Sequence, residues 1–181
     1  MSNPVETLPV GNSKKEMYVK KMIFVGLILT GLLLVGGCDL LQQKGPQLAN
    51  WEPVLSPDGT ILAYASPGEK GFEIYTHDIG TGEIVQLTQN EVDDWAPSWS
   101  PQGDRLVFSS NRDKNVDLYL IDIWTLEVTR LTTHESEEVN PYWGVNDNIL
   151  FNSSRSGAWE VYMIDSNGQN LTKITETPSS E

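Results

Sequence analysis

The chain has 181 residues, with 12 Lys+Arg against 25 Asp+Glu and a net charge of −13. That balance excludes a sequence-independent grip on nucleic acid, which needs basic side chains against phosphates. A single cysteine, Cys38, excludes an intramolecular disulfide, a four-thiolate zinc site and a CxxC redox pair. Six Trp, six Tyr and four Phe supply material for a packed core and argue against disorder over most of the length.

The charge is unevenly placed. Residues 1–37 carry four Lys and two Glu, whereas residues 38–181 carry eight basic and 23 acidic residues. Lys14, Lys15, Lys20 and Lys21 precede an apolar run from Met22 to Val35, which ends on Gly36, Gly37 and Cys38. A basic stretch, a short apolar stretch and small residues together make an export signal over 1–37. As a helix that run reaches about 21 Å, short of the ~30 Å hydrocarbon core, so a spanning helix is the weaker reading. Met17 is an alternative start, because residues 1–16 are unusually polar for a signal.

Val35-Gly36-Gly37-Cys38 resembles the lipobox of bacterial lipoproteins. The resemblance implies that Cys38 is lipidated and becomes the mature N-terminus, tying the chain to a cell membrane or outer membrane and facing the periplasm or exterior. Stable anchoring takes more than one acyl chain, and that family supplies it. Asp39 resembles the inner-membrane retention signal of some Gram-negative lipoproteins. Residues 38–50 read as a tether.

From 51 to 175 the chain repeats, in units expected over 51–94, 95–138 and 139–175. Trp51-x-Pro53, Trp95-x-Pro97 and Val139-x-Pro141 recur 44 residues apart. Ser56-Pro57-Asp58-Gly59 returns as Ser100-Pro101-Gln102-Gly103 and, degraded, as Gly144-Val145-Asn146-Asp147. Tyr75, Tyr119 and Tyr162 each precede an aspartate by three residues, and the units close on Leu87-Thr88, Leu131-Thr132 and Ile174-Thr175. In the second unit the pattern predicts strands at 97–100, 106–110, 116–123 and 128–131. The third unit is one residue shorter, with the loss expected between Ser154 and Tyr162, which leaves Asn152 where the others carry an aromatic. Four strands per ~44 residues is the period of a propeller blade. The expected fold is all-β: three four-stranded propeller-type blades after an N-terminal signal and anchor helix, with a polar tail over 176–181.

The second unit, with Pro97, Trp99, Ser100, Pro101, Gly103, Phe108, Arg112, Tyr119, Asp122, Leu131 and Thr132, resembles the WD-repeat-like units of the TolB family. Similar units build the propellers of prolyl-oligopeptidase-type enzymes. The first unit departs from the pattern in having Leu55 for the Trp and no Asn-Arg turn. The resemblance implies a non-catalytic envelope adaptor that binds another protein through its propeller surface. Three blades do not close a ring, since propellers have four to eight. A homodimer making six blades is the expected solution, against a truncated propeller or an arc completed by a different partner.

No G-x-S-x-G elbow, phosphate loop or dinucleotide fingerprint occurs, and no catalytic residue, metal or cofactor is expected. His77 and His134 are the only histidines and lie in different contexts. The non-repeated enrichment is acidic. Glu91, Asp93 and Asp94 precede Trp95, and Glu135, Glu137 and Glu138 precede Val139 and Asn140. Both clusters are expected in the same inter-blade loop, so Glu91, Asp93, Asp94, Trp95, Glu137, Glu138 and Asn140 form an expected docking rim for a basic partner. A calcium site and a merely solvated loop are the competing readings of that rim. For the chain as a whole, a ligand- or carbohydrate-binding propeller and a remnant of a propeller hydrolase or lyase stand beside the adaptor.

Overall fold

The computed structural model describes residues 51–177. The export signal, the lipobox residues Val35, Gly36 and Gly37, Cys38 and the tether therefore lie outside the described residues.

Turn chemistry cuts the chain into short strands. Ser56 accepts the Gly59 N–H through its carbonyl, and its Oγ accepts the Ile61 N–H, with Gly59 at φ 72°. Ser100, Gly103 and Arg105 repeat the same bonds. A hydroxyl that replaces a missing backbone partner and a residue free to take positive φ are what a tight reversal needs. At the other end of each unit Asp78, Asp122 and Asp165 accept N–H groups two to four residues ahead, fixing the turn into the fourth strand.

Between these turns run twelve strands: β1 (Trp51–Leu55), β2 (Ile61–Pro67), β3 (Phe72–Asp78), β4 (Ile84–Gln86), β5 (Asp94–Trp99), β6 (Arg105–Ser110), β7 (Asp117–Asp122), β8 (Val128–Arg130), β9 (Glu138–Trp143), β10 (Asn148–Ser153), β11 (Glu160–Asp165) and β12 (Thr172–Lys173). They form three four-stranded antiparallel meanders, β1–β4, β5–β8 and β9–β12, each a blade. The described residues contain no helix. The first strands β1, β5 and β9 lie side by side, and β5 and β9 also pack on the middle strands of the preceding blade.

Two apolar layers join the blades. Ala63, Ala65, Ile74 and Leu87 of the first blade meet Trp99, Leu106, Phe108, Tyr119 and Ile121 of the second. Val107, Leu118 and Leu120 of the second meet Trp143, Ile149, Phe151, Tyr162 and Ile164 of the third. Alternate residues of β6 thus serve opposite joints, as the two-residue strand period requires. Each fully buried Leu, Ile or Phe contributes about 1.5–3 kcal/mol, so the joints hold the blades in place.

The register corrects the reading of the third blade. Ser56 N–H reaches the Ile61 carbonyl and Ser100 N–H the Arg105 carbonyl, five residues on, but Gly144 N–H reaches the Asn148 carbonyl, four on. The missing residue is therefore in the β9–β10 turn, not between Ser154 and Tyr162. With that shift Phe151, not Asn152, occupies the aromatic position. Its ring lies 6.0 Å from that of Tyr162, as Tyr64 lies from Tyr75 and Phe108 from Tyr119, both at 5.9 Å. The first strand of the second blade also differs from expectation, beginning at Asp94 rather than Pro97.

Candidate functional site

Each first strand contains an x-Pro pair, and proline cannot donate to a β-ladder. The strands answer with a bulge. The pairing register shifts between Trp51 and Val54, between Trp95 and Ser98, and opposite Leu150 and Asn152. The residue before each proline takes the left-handed region: Glu52 at φ 52°, Ala96 at φ 52° and Asn140 at φ 54°. For a non-glycine residue that conformation costs about 1–3 kcal/mol, and such residues cluster at functional sites.

The three bulges border one open groove of about 250 Å3, lined by Glu52–Val54, Ala96–Ser98 and Asn140–Tyr142. Glu52, Asn140 and Tyr142 are exposed there. Two inter-blade bonds set the third triplet against the second: Asn140 N–H donates to Ser109 Oγ at 3.2 Å and Trp143 N–H to Ser98 Oγ at 2.9 Å. A second hollow of about 260 Å3 is bordered by Glu52, Phe72, Asp93 and Trp95. Its wall depends on a close approach, because a Cβ on Gly71 would stand 2.3 Å from the Val92 carbonyl oxygen.

The acidic clusters divide into two kinds of residue. Glu91 is exposed and pairs with Lys70, and Glu137 is exposed. Asp93 is half-buried, and its Oδ1 accepts the Phe72 N–H at 2.9 Å. Trp95 is half-buried against the first joint. Asp94 and Glu138, by contrast, are fully buried first residues of β5 and β9. Arg112 Nη2 donates to both Asp94 carboxylate oxygens, at 3.0 and 2.9 Å, and Arg155 pairs with Glu138. Each guanidinium also lies over its own blade's aromatic pair, Arg112 over Phe108 and Tyr119 and Arg155 over Phe151 and Tyr162. Asp94 and Glu138 are thus internal clamps of the blade, not part of a rim that a partner could touch. Burying an ion without its counterion costs several kcal/mol, so these two acids hold an arginine in place rather than facing solvent.

The closing threonines are structural in the same way. Thr88, Thr132 and Thr175 accept the N–H groups of Ile74, Leu118 and Val161 through Oγ1. Thr88 also donates to buried Glu73, which accepts the Asn90 N–H as well. Burial pushes the carboxyl of Glu73 above the usual carboxylate range, and does the same to Asp117 against the pull of Arg130.

The histidines are not brought together. His77 sits half-buried in β3 opposite Leu62 and Ile84, while exposed His134 accepts the Ser136 N–H through Nδ1. Among the described residues no group of three or more His, Cys, Asp or Glu is arranged to hold a metal. Sequence reasoning missed Glu52 and Tyr142, although stepping the Pro97 motif by 44 residues in each direction reaches both neighbours of its prolines.

A family model described as a TolB beta propeller domain matches residues 40–180. Among solved structures, a TolB protein of Agrobacterium tumefaciens superposes with TM-score 0.65 at 29% identity, covering 70% of this chain and 46% of its own. TolB of Acinetobacter baumannii gives 0.62 at 27%, covering 71% and 32%. An oligogalacturonate lyase of Vibrio parahaemolyticus shares the fold at 15% identity and TM-score 0.53, covering 68% and 38%. The chain spans less than half the length of both TolB structures. No curated protein matches it.

Proposed function

From the premise that this chain belongs to the TolB beta-propeller family, we propose that it is a non-catalytic, lipid-anchored protein of the cell envelope whose blades form a protein-docking module. The observation that carries the docking reading is the groove at the three bulges. Three strained, repeat-related residues converge on it, and two of them, Glu52 and Asn140, present exposed polar side chains beside exposed Tyr142. Exposed aromatics flanked by polar groups are what protein interfaces use as anchors. Glu52 in the groove and exposed Glu91 and Glu137 favour a basic partner surface.

Anchoring rests on Val35-Gly36-Gly37-Cys38 behind an export signal, and envelope location also fits the family. The absence of a nucleophile elbow, together with two dispersed histidines, supports the non-catalytic reading.

Two variants of the full chain test the proposal in its host membrane. Cys38→Ser abolishes fatty-acid labelling and releases the chain from the membrane fraction. Glu52→Arg with Asn140→Arg leaves the chain anchored and its circular dichroism unchanged, but lowers the yield of one co-purifying protein at least tenfold. A labelled Cys38→Ser chain overturns the anchor, and an unchanged yield overturns the docking groove.

A further inference from the structure

The two internal joints define what a blade face looks like when another blade covers it, and at both outer faces of the arc part of the repeat-equivalent apolar surface is uncovered. On the side that receives a preceding blade, Trp99 and Trp143 are 5% and 4% exposed, and Ile123 is 1% exposed. The repeat-equivalent residues of the first blade, Leu55 and Ile79, are 52% and 56% exposed. On the side that meets a following blade, Val107, Leu118 and Leu120 of the second blade are buried. Their equivalents in the third blade, Leu150, Val161 and Met163, are only half-buried, with Ile174 50% exposed. Monomeric proteins rarely leave such apolar faces to water.

We infer that a second copy of this chain covers both faces, the third blade of each protomer packing on the first blade of the other about a two-fold axis. The occupant is argued from the faces themselves. One is the giving half and the other the receiving half of a joint that the chain already makes twice internally, with Leu55 standing where Trp99 and Trp143 fill the internal joints. Repeating that joint around a two-fold axis yields six blades, within the range of closed propellers. A polar detail agrees. Ser109 accepts the N–H of the left-handed residue Asn140 across the second joint. Its equivalent in the third blade is Asn152, a half-buried hydrogen-bonding side chain, and the left-handed residue on the receiving first blade is Glu52. The docking groove is built within one chain, and its Glu52 and Tyr142 edges border the joints that the second copy makes.

The full chain is studied by sedimentation equilibrium in density-matched mild detergent, as wild type, Leu55→Glu and Ile174→Glu. Both substituted residues are about half exposed, so the variants keep the circular dichroism of the wild type. Wild type sediments as a dimer, and each variant weakens dimerisation at least tenfold. An equimolar mixture of the two variants recovers part of the association, because the mixed dimer has one joint made of two unaltered faces. Wild-type monomers at all concentrations, or open-ended larger species, overturn the inference. So does a dimer that both variants leave intact. Failure of the mixture to recover overturns the head-to-tail joint.

Discussion

Arg112 holds both carboxylate oxygens of Asp94 at about 3 Å while its guanidinium lies 4.6 Å from the centre of the Tyr119 ring. The aromatic pair, the arginine and the acid form one stack from the middle strands of the blade to its first strand. That stack ties the bulged strand at the groove to the core behind it.

Removing the arginine leaves a fully buried carboxylate without its counterion, although Asn90 Nδ2 still donates to it. Arg112→Met is expected to cost about 3–5 kcal/mol, read by urea unfolding, while Lys70→Met, which breaks an exposed pair with Glu91, costs no more than ~1 kcal/mol. Similar losses in the two variants would mean that Asp94 is solvated.

The shifted register of the third blade has its own test. Phe151→Ala is expected to cost about 3–5 kcal/mol, as for other buried aromatics, and Asn152→Ala less than ~1 kcal/mol. Thermal unfolding of both variants checks this. The reverse ranking would restore the deletion to the loop after Ser154.

At Gly71 the Cβ of alanine would meet backbone rather than a movable side chain. Gly71→Ala is expected to destabilise the fold by about 1–3 kcal/mol, the usual cost of overpacking, and to alter the hollow beside Trp95. Denaturant unfolding monitored by tryptophan fluorescence reads both effects.

Glu73 gives a pH dependence with a definite sign. Its carboxyl is raised by burial, so the folded state binds a proton more tightly than the unfolded state does. Its ionisation therefore lowers stability as pH rises between the two values, and the loss is recovered on acidification. Relative to Glu73→Gln, the wild type should gain melting temperature as pH falls from neutral toward the ordinary carboxylate range. A relative loss over that interval would reverse the assignment.

Much of the fold was legible because the repeat is written in turn residues and large side chains, which report local geometry directly. The Ser-Pro-x-Gly turn and the Tyr-x-x-Asp strand end both stand where their bonds require. The third blade misled because a deletion inside a degraded turn leaves two Ser residues, Ser153 and Ser154, that fit either alignment. The Gly144 to Asn148 bond and the pairing across β10 and β11 distinguish them. The acidic rim was half legible for a different reason. Asp93 and Asp94 are neighbours in sequence, but the strand that starts at Asp94 turns its side chain inward, and the arginine that receives it is 18 residues away. Composition counts carboxylates without saying which way they face.

The docking groove is tested most directly by a photo-cross-linking residue placed singly at Asn140, Tyr142 and Thr129 of the full chain in its native membrane. The first two positions face the groove and the third lies on the outer strand β8. One distinct protein, joined from Asn140 and Tyr142 but not from Thr129, is the predicted result. Equal cross-linking from all three positions, or none from the groove, would contradict it.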